Sequence, residues 1–307
     1  MLVALVGDTT LDVTVRPDAP PRPGGDVPAS ITIAPGGQGA NVAVRLARAG
    51  VPVRLATAIA DDAAGRLLLP ALEAEGVALV RMAAASSATV IALLAADGER
   101  AMLSDRVTLD PAAIAAACAG AAWVHCSAYS LADDATGDAL AAALGSLPAG
   151  TRVSAGGGSL PPDAARAARV RNRMATARVG LLILEHEEVA ALLDAPVPSL
   201  PAAADALAGA FPATIAVVTG GAAGSAAAGP GFALSVPAHD PFSPMVDATG
   251  AGDAYAAALI AGLLAAPWPP DVAVLRTAME AGSRAGGLAS RVLGAQGRIA
   301  GEPGGGT

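Results

Sequence analysis

The chain has 307 residues, 53% of them hydrophobic and only 2% aromatic, enough apolar material for one large α/β core. A formal net charge of −8 argues against a nucleic-acid or anionic-membrane surface, so neither partner is expected, and a small anionic ligand would need a local pocket. Lysine is absent, all 19 basic residues being arginine, which excludes a Walker-type lysine, a Schiff-base lysine for pyridoxal phosphate and a protein-kinase β3 lysine.

Residues 2–6 form a short continuous apolar run ending at Gly7-Asp8, the pattern of a buried parallel strand. Residues 11–16 alternate and predict a second strand leaving the core. A proline- and glycine-rich stretch at 17–28 then leads to a third strand at 29–33. Two half-exposed strands joined by a stiff loop predict a small lid beside the main sheet. After the glycine-rich turn at 35–41, residues 42–49 predict a helix ended by Gly50. A strand at 53–57, a helix at 65–75 stopped by Gly76 and a strand at 77–81 follow. Residues 88–94 and 100–103 flank Asp97-Gly98 in the pattern of a hairpin, which joins the lid.

From residue 111 the alternation is regular. Helices at 111–119, 138–144, 163–177 and 202–210 precede strands at 123–126, 151–155, 181–184 and 215–219. This predicts right-handed βαβ units and a mostly parallel sheet covered on both faces. Residues 225–228 and 232–236 predict a short hairpin at its edge. Helices at 251–265 and 271–288 close the fold, ahead of a tail at 301–307 expected to be disordered. With no internal repeat and no linker, the expectation is one domain over 1–307. The lid, about 12–34 and 88–106, is inserted in it.

Cys118 and Cys126 have neither a disulfide framework nor a metal-ligand spacing, and buried neutral thiols are expected. His125, His186 and His239 stand far apart and no G-x-S-x-G elbow occurs, so a metal site or a Ser-His-Asp triad has little support. The opening residues lack a basic leader, and the longest apolar run, 254–266, falls short of the roughly 20 residues of a membrane span. A cytoplasmic protein is the expectation.

The chemistry concentrates in Asp247-Ala248-Thr249-Gly250-Ala251-Gly252-Asp253, a glycine-rich turn that opens directly into an alanine-rich helix. Backbone N–H groups without intrahelical partners, at the positive end of the helix dipole, can receive an anion there. Asp253 would be repelled by a bound phosphate unless a hydroxyl lay between them; the carboxylate would then take its proton. The same residues also fit a plain helix cap by Thr249 and Asp253.

Together, Gly36-Gly37-Gln38-Gly39-Ala40-Asn41 and the turn from Asp247 to Asp253 resemble the paired motifs of the ribokinase-like (phosphofructokinase B-type) carbohydrate kinases. Gly7-Asp8, Asp12, 61–65, 219–221 and 294–296 also resemble family positions, along essentially the whole length. The resemblance implies a ribokinase-like three-layer sandwich with a mostly parallel central sheet and a small β-strand lid. It makes Asp253 the general base, with Gly250, Ala251 and Gly252 as the N–H cradle for the γ-phosphate. Asp12 is similar to the carboxylate that accepts bonds from sugar hydroxyls, although an exposed charge at a strand end reads the same locally. Gly36 and Gly37 would let the backbone approach a bound ring, and Asn41 could donate and accept at once.

Thr219, Gly220, Gly221 and Gly224 would lie along the nucleotide; without the family they read as a hairpin turn. Glu185 to Glu188 occupies the place of the family's Asn-x-x-Glu, with Glu188 retained to organise magnesium through water and Glu185 replacing the amide beside the nucleotide. A second departure is the Gly156–Gly158 run. Asp247 resembles a ligand of a monovalent cation such as K+, or forms an Asx-turn. Arg106 reads as a surface arginine within reach of an acidic sugar. ATP and Mg2+ are the implied cofactors, a small sugar or nucleoside the acceptor, and a homodimer through the lid the assembly. The rival readings are a nucleoside kinase of the same fold and a non-catalytic sugar- or nucleotide-binding regulator.

Overall fold

The continuous apolar runs become the middle of one large sheet. The structure is a computed structural model that describes residues 1–94, 100–158, 163–212, 214–240 and 244–302. Its strands are β1 (Val3–Val6), β2 (Thr10–Pro17), β3 (Ala29–Gly36), β4 (Val53–Ala58), β5 (Ala78–Met82), β6 (Ala88–Leu94), β7 (Arg100–Asp105), β8 (Trp123–Ser127), β9 (Arg152–Gly156), β10 (Leu181–Glu185), β11 (Ile215–Thr219), β12 (Ser225–Gly229) and β13 (Phe232–Val236). Nine of these form a sheet in the order β13-β12-β11-β10-β9-β8-β1-β4-β5. Every pairing from β5 to β11 is parallel, and β12 and β13 add an antiparallel edge.

The helices are α1 (Gln38–Arg48), α2 (Ala63–Ala74), α3 (Ile114–Cys118), α4 (Ala128–Ala132), α5 (Gly137–Gly145), α6 (Ala164–Thr176), α7 (His186–Leu193), α8 (Leu200–Ala210), α9 (Ala251–Leu263) and α10 (Val272–Ala289). Side chains alternate across the sheet, so its two faces fill different cores. Ala4 and Val6 of β1 join the core under α3 to α8, while Val3 and Leu5 join the core under α1, α2, α9 and α10. Cys118 and Cys126 are buried and unpaired, and burial pushes both thiols up, Cys118 to about 11.

Three local differences from the sequence reading matter for the site. Helix α1 starts at Gln38, four residues before Val42, because Gly37 (φ 94) turns the chain and Asn41 N–H already bonds Gly37 O at 2.8 Å. Asn41 is therefore inside a helix rather than on a loop. Helix α7 follows β10 without a gap, where the sequence predicts no helix: a Glu-His-Glu-Glu start and two buried positions, Val189 and Leu192, leave little apolar period to read. Helix α4 is a single short turn after β8, too brief to show any period.

The remaining four strands form a second sheet, β3-β2-β6-β7, antiparallel except for the central β2–β6 pairing. Both stretches assigned to the lid thus meet in it. Its register sets Ala34, Asp12, Val90 and Ser104 in one row and Ile33, Val13, Ile91 and Leu103 in the next. Adjacent rows point to opposite faces. Ile31, Ile33 and Leu103 are all exposed. The predicted Asp97-Gly98 turn, and the tail beyond 302, lie outside the described residues.

Candidate active site

Parallel strands deliver their following residues to one edge of the sheet. Strands β1, β8, β9, β10 and β11 end there, bringing Asp8, Tyr129, Gly157, Glu185 and Thr219 around a pair of adjoining clefts. Helix α9 begins at the same edge. Its N-cap, Gly250, is left-handed (φ 78), and a Cβ there would stand 2.6 Å from Ala295 Cα, so only glycine fits. Ala251 N–H turns back to Ala248 O at 3.2 Å. The amides of Gly252 and Asp253 come next in the first turn, whose N–H groups have no intrahelical acceptor.

Asp253 sits partly buried on this turn and lines the larger cleft, of about 440 Å³. Asn41 Nδ2 donates to Asp253 Oδ2 at 2.7 Å. Burial lifts the Asp253 carboxyl to about 7; the Asn41 bond opposes this, and the charges of Asp8, Glu185 and Glu188 reinforce it. Asn41 itself is buried and does not line the cleft, because its Oδ1 accepts from Gln296 Nε2 at 3.0 Å. Both ends of the amide are thus occupied.

Across the cleft stands Asp12, on the inward face of the small sheet with Val90, Met102 and Ser104. Thr10 Oγ1 donates to Asp12 Oδ1 at 2.6 Å. Burial raises Asp12 to about 6; the Thr10 bond lowers it, Asp8 raises it and Arg106 lowers it. Gly36 lies buried under this carboxylate, where a Cβ would fall 2.0 Å from Asp12 Oδ2, while Gly37 lines the cleft. Arg106 is exposed, as the sequence reading has it, but it also lines the cleft. Its Nη1 lies 2.5 Å from Asp8 Oδ2, and its guanidinium carbon stands 3.7 Å from the centre of the Tyr129 ring. Tyr129 and Gln38 also line this cleft and carried no signal beyond their neighbourhood. Gln38 is held from behind: its Nε2 is 3.0 Å from His125 Nε2, His125 Nδ1 is 2.9 Å from Ser154 Oγ, and Trp123 Nε1 donates to that same oxygen. Full burial drives His125 down to about 4, so the ring is neutral.

The second cleft, of about 230 Å³, runs between α10 and the loop after β11. Thr219, Gly221 and Gly224 line it, with Ser283 and Gly287 opposite, and the Arg291–Asp240 ion pair (2.8 Å) beside them. Gly220 faces away, against Leu200 of α8, and donates to Gly224 O at 2.9 Å. Glu185, Thr219, Ala248 and Gly252 line both clefts and mark where they join.

Glu188 accepts from Gly158 N–H (2.7 Å) at one oxygen and from Glu185 N–H (2.8 Å) at the other. Burial raises its carboxyl to about 7 against those two bonds, and the Glu185 charge adds to the rise. Asp247 forms the Asx-turn, accepting from Thr249 N–H at 2.9 Å and from Gly294 N–H at 3.0 Å. Among the described residues, no group of three or more His, Cys, Asp or Glu side chains is placed to hold a metal ion. A divalent ion here would have to take most of its ligands from phosphates and water, as magnesium does beside nucleotides.

A family model described as pfkB family carbohydrate kinase matches residues 1–300. The chain belongs to that family. It is therefore a carbohydrate kinase, a transferase. A fructokinase from Klebsiella pneumoniae is 32% identical to this pfkB kinase over 273 residues, covering 85% of this chain and 87% of that one. Among solved structures, a ribokinase from Cryptococcus neoformans var. grubii serotype A in complex with ADP matches with a TM-score of 0.77 at 23% identity, covering 96% of this chain and 94% of that one. A ribokinase from Giardia lamblia matches with a TM-score of 0.78 at 15% identity, covering 96% and 94%. These likenesses establish the ribokinase fold: a three-layer sandwich on a mostly parallel sheet, with the small sheet beside it. No helix among the described residues is long and apolar enough to cross a membrane.

Proposed function

We propose that this pfkB kinase transfers the γ-phosphate of ATP to a hydroxyl, a primary one by our reading, of a small sugar or sugar derivative. One observation carries the assignment: Asp253, its carboxyl lifted to about 7, lines the acceptor cleft on the turn where the two clefts meet. A carboxyl with that affinity is ionised in about half of the molecules at neutral pH and is still basic enough to draw a proton from an alcohol under attack. The 250–252 turn acts as the anion hole, with Gly252 at the junction holding charge that develops on the transferred group. The names of the relatives support a sugar acceptor, and the ADP-bound neighbour supports an adenine nucleotide as donor.

On the acceptor side, Asp12 takes bonds from sugar hydroxyls and the Gly36-Gly37 backbone lets the ring come close. Asn41 serves the acceptor through its hold on Asp253. Glu185, Thr219, Gly221 and Gly224 border the nucleotide, with Gly220 shaping their loop. Magnesium would supply charge neutralisation of the phosphates; Glu188 is the carboxylate we assign to it, through water, and Asp247 the one we assign to a monovalent cation such as K+. We take residues 1–307 as one kinase domain whose lid, about 12–34 and 88–106, closes over the acceptor and excludes water. The apolar outer face of that lid, with Ile31, Ile33 and Leu103 exposed, suits a second copy of the chain, in a cytoplasmic homodimer.

A coupled ADP-release assay over sugars, sugar acids and nucleosides tests the reading. Turnover should depend on the acceptor and fall ~10²–10⁴-fold in Asp253→Asn. Turnover that survives that change removes Asp253 from the role of base.

A further inference from the structure

Asn41, Arg45 and Arg48 lie at i, i+4 and i+7 on α1 and share one face of the helix. That face holds the segment that follows α10. Arg45 donates to Ala295 O (3.0 Å) and pairs with Glu302 (2.8 Å). Arg48 donates to Gln296 O (2.9 Å) and pairs with Glu302 (3.1 Å) and Glu75 (2.8 Å). Both guanidinium side chains are buried, so the segment is fixed by charge-assisted bonds in a water-poor setting. It is thereby set against the catalytic turn: Ala295 lies under Gly250, Gly294 N–H reaches Asp247, and Gln296 Nε2 reaches Asn41 Oδ1 at 3.0 Å.

We infer that Gln296 is a positioning residue for the base, fixing the Asn41 amide so that its NH2 group, and not its carbonyl, meets Asp253. An asparagine amide is nearly symmetric in shape and can turn end over end at little steric cost. The two orientations differ chemically. The NH2 end stabilises the ionised carboxylate, the form able to accept a proton. The carbonyl end repels that form and welcomes the protonated acid. Asp253 is already crowded by negative charge from the β1 edge (Asp8), the β10 end (Glu185) and α7 (Glu188), while on the side of α1 and the 294–302 segment it meets the neutral Asn41, backed by Gln296, with Arg45, Arg48 and Arg298 engaged with Glu302 and Glu75. A donor bond from Gln296 to Asn41 Oδ1 disfavours the wrong orientation: while Gln296 presents its NH2 end, turning the Asn41 amide alone would set two NH2 groups against each other.

The inference rests on Asp253 being the base, and its test separates the two ideas. In the full-length kinase, Gln296→Met keeps length and packing but removes the donor. Gln296→Glu leaves only an acceptor, which draws the Asn41 NH2 group away from Asp253. Both are made in wild-type and Asn41→Ala backgrounds. The acidic limb of the kcat/KM profile is measured alongside a 13C NMR titration of the Asp253 carboxyl. Gln296→Met should raise both apparent pKa values, lowering kcat/KM at pH 6 by about 3–10-fold and leaving it unchanged near pH 9, with acceptor KM within about twofold. Gln296→Glu should shift them further. In the Asn41→Ala background, Gln296→Met should do nothing more, and Gln296→Glu should show only the effect of its added charge. A carboxyl titration that does not move in either variant overturns the inference, as does an equal shift with and without Asn41. A titration that moves while the rate profile stays fixed supports the positioning role and overturns the assignment of Asp253 as base.

Discussion

The two clefts meet at one turn yet are built from opposite materials. The larger is walled by carboxylates, Asp8, Asp12, Glu188 and Asp253, with Arg106 the cation on its wall among the described residues, already paired to Asp8 and stacked on Tyr129. The smaller runs between the small-residue face of α10, at Ser283, Gly286 and Gly287, and a glycine-rich loop, with Glu185 at its inner end. The first suits a ligand that offers many hydroxyl donors, since a carboxylate accepts and cannot donate when ionised. The second suits a flat ring that needs close approach more than charge. Gly252 lines both, so on the proposed reading the polar acceptor and the anionic donor would face each other across Gly252 and Asp253.

Three changes would sharpen or break that contrast. The largest effect is expected from Asp12→Asn, which swaps two acceptor oxygens for one acceptor and one donor. It should cut kcat/KM for the acceptor by about 10–100-fold while the KM for ATP stays put, as initial-rate kinetics would read. A matching loss in ATP affinity would mean the clefts are not separate. Gly287→Val should do the reverse. A Cβ at 287 would already lie 2.9 Å from His239 O, and the added methyls intrude on the smaller cleft. The KM for ATP should rise by about 10-fold with calorimetric binding of the acceptor unaltered. The smallest effect concerns the lid. Ile33→Glu places a charge on its exposed outer face, and sedimentation should report monomers, with acceptor KM raised about threefold and ATP unaffected. A wild-type chain that sediments as a monomer would remove the dimer from the account.

Much of this architecture was legible in the amino-acid order because the signals were local. Continuous apolar runs mark parallel strands buried on both faces, and β1, β10 and β11 all carried that mark. The turn before α9 announced itself through two glycines and an acid in fixed spacing. Elements that failed to show themselves were short or polar at their start: α4, α7 and the first turn of α1. Two residues have partners that no neighbouring stretch of sequence could show. Arg106 reads as solvated from its neighbours in the chain, and only the fold brings Asp8 and Tyr129 beneath it. Asn41 reads as a substrate ligand, yet its two polar ends are met by Asp253 and Gln296, 212 and 255 residues away in sequence.

By itself the sequence determined the alternation of strands and helices, the absence of any lysine chemistry, and the glycine-rich turn that opens a helix at Ala251. Those properties depend on spacing and residue type over a few positions, and no folding is needed to read them. What the tertiary structure decided is how readily the Asp253 carboxyl gives up its proton and which amide end it meets. Both depend on burial and on charges from strands and helices far apart in the chain, quantities that exist only once the sheet has gathered them at one edge.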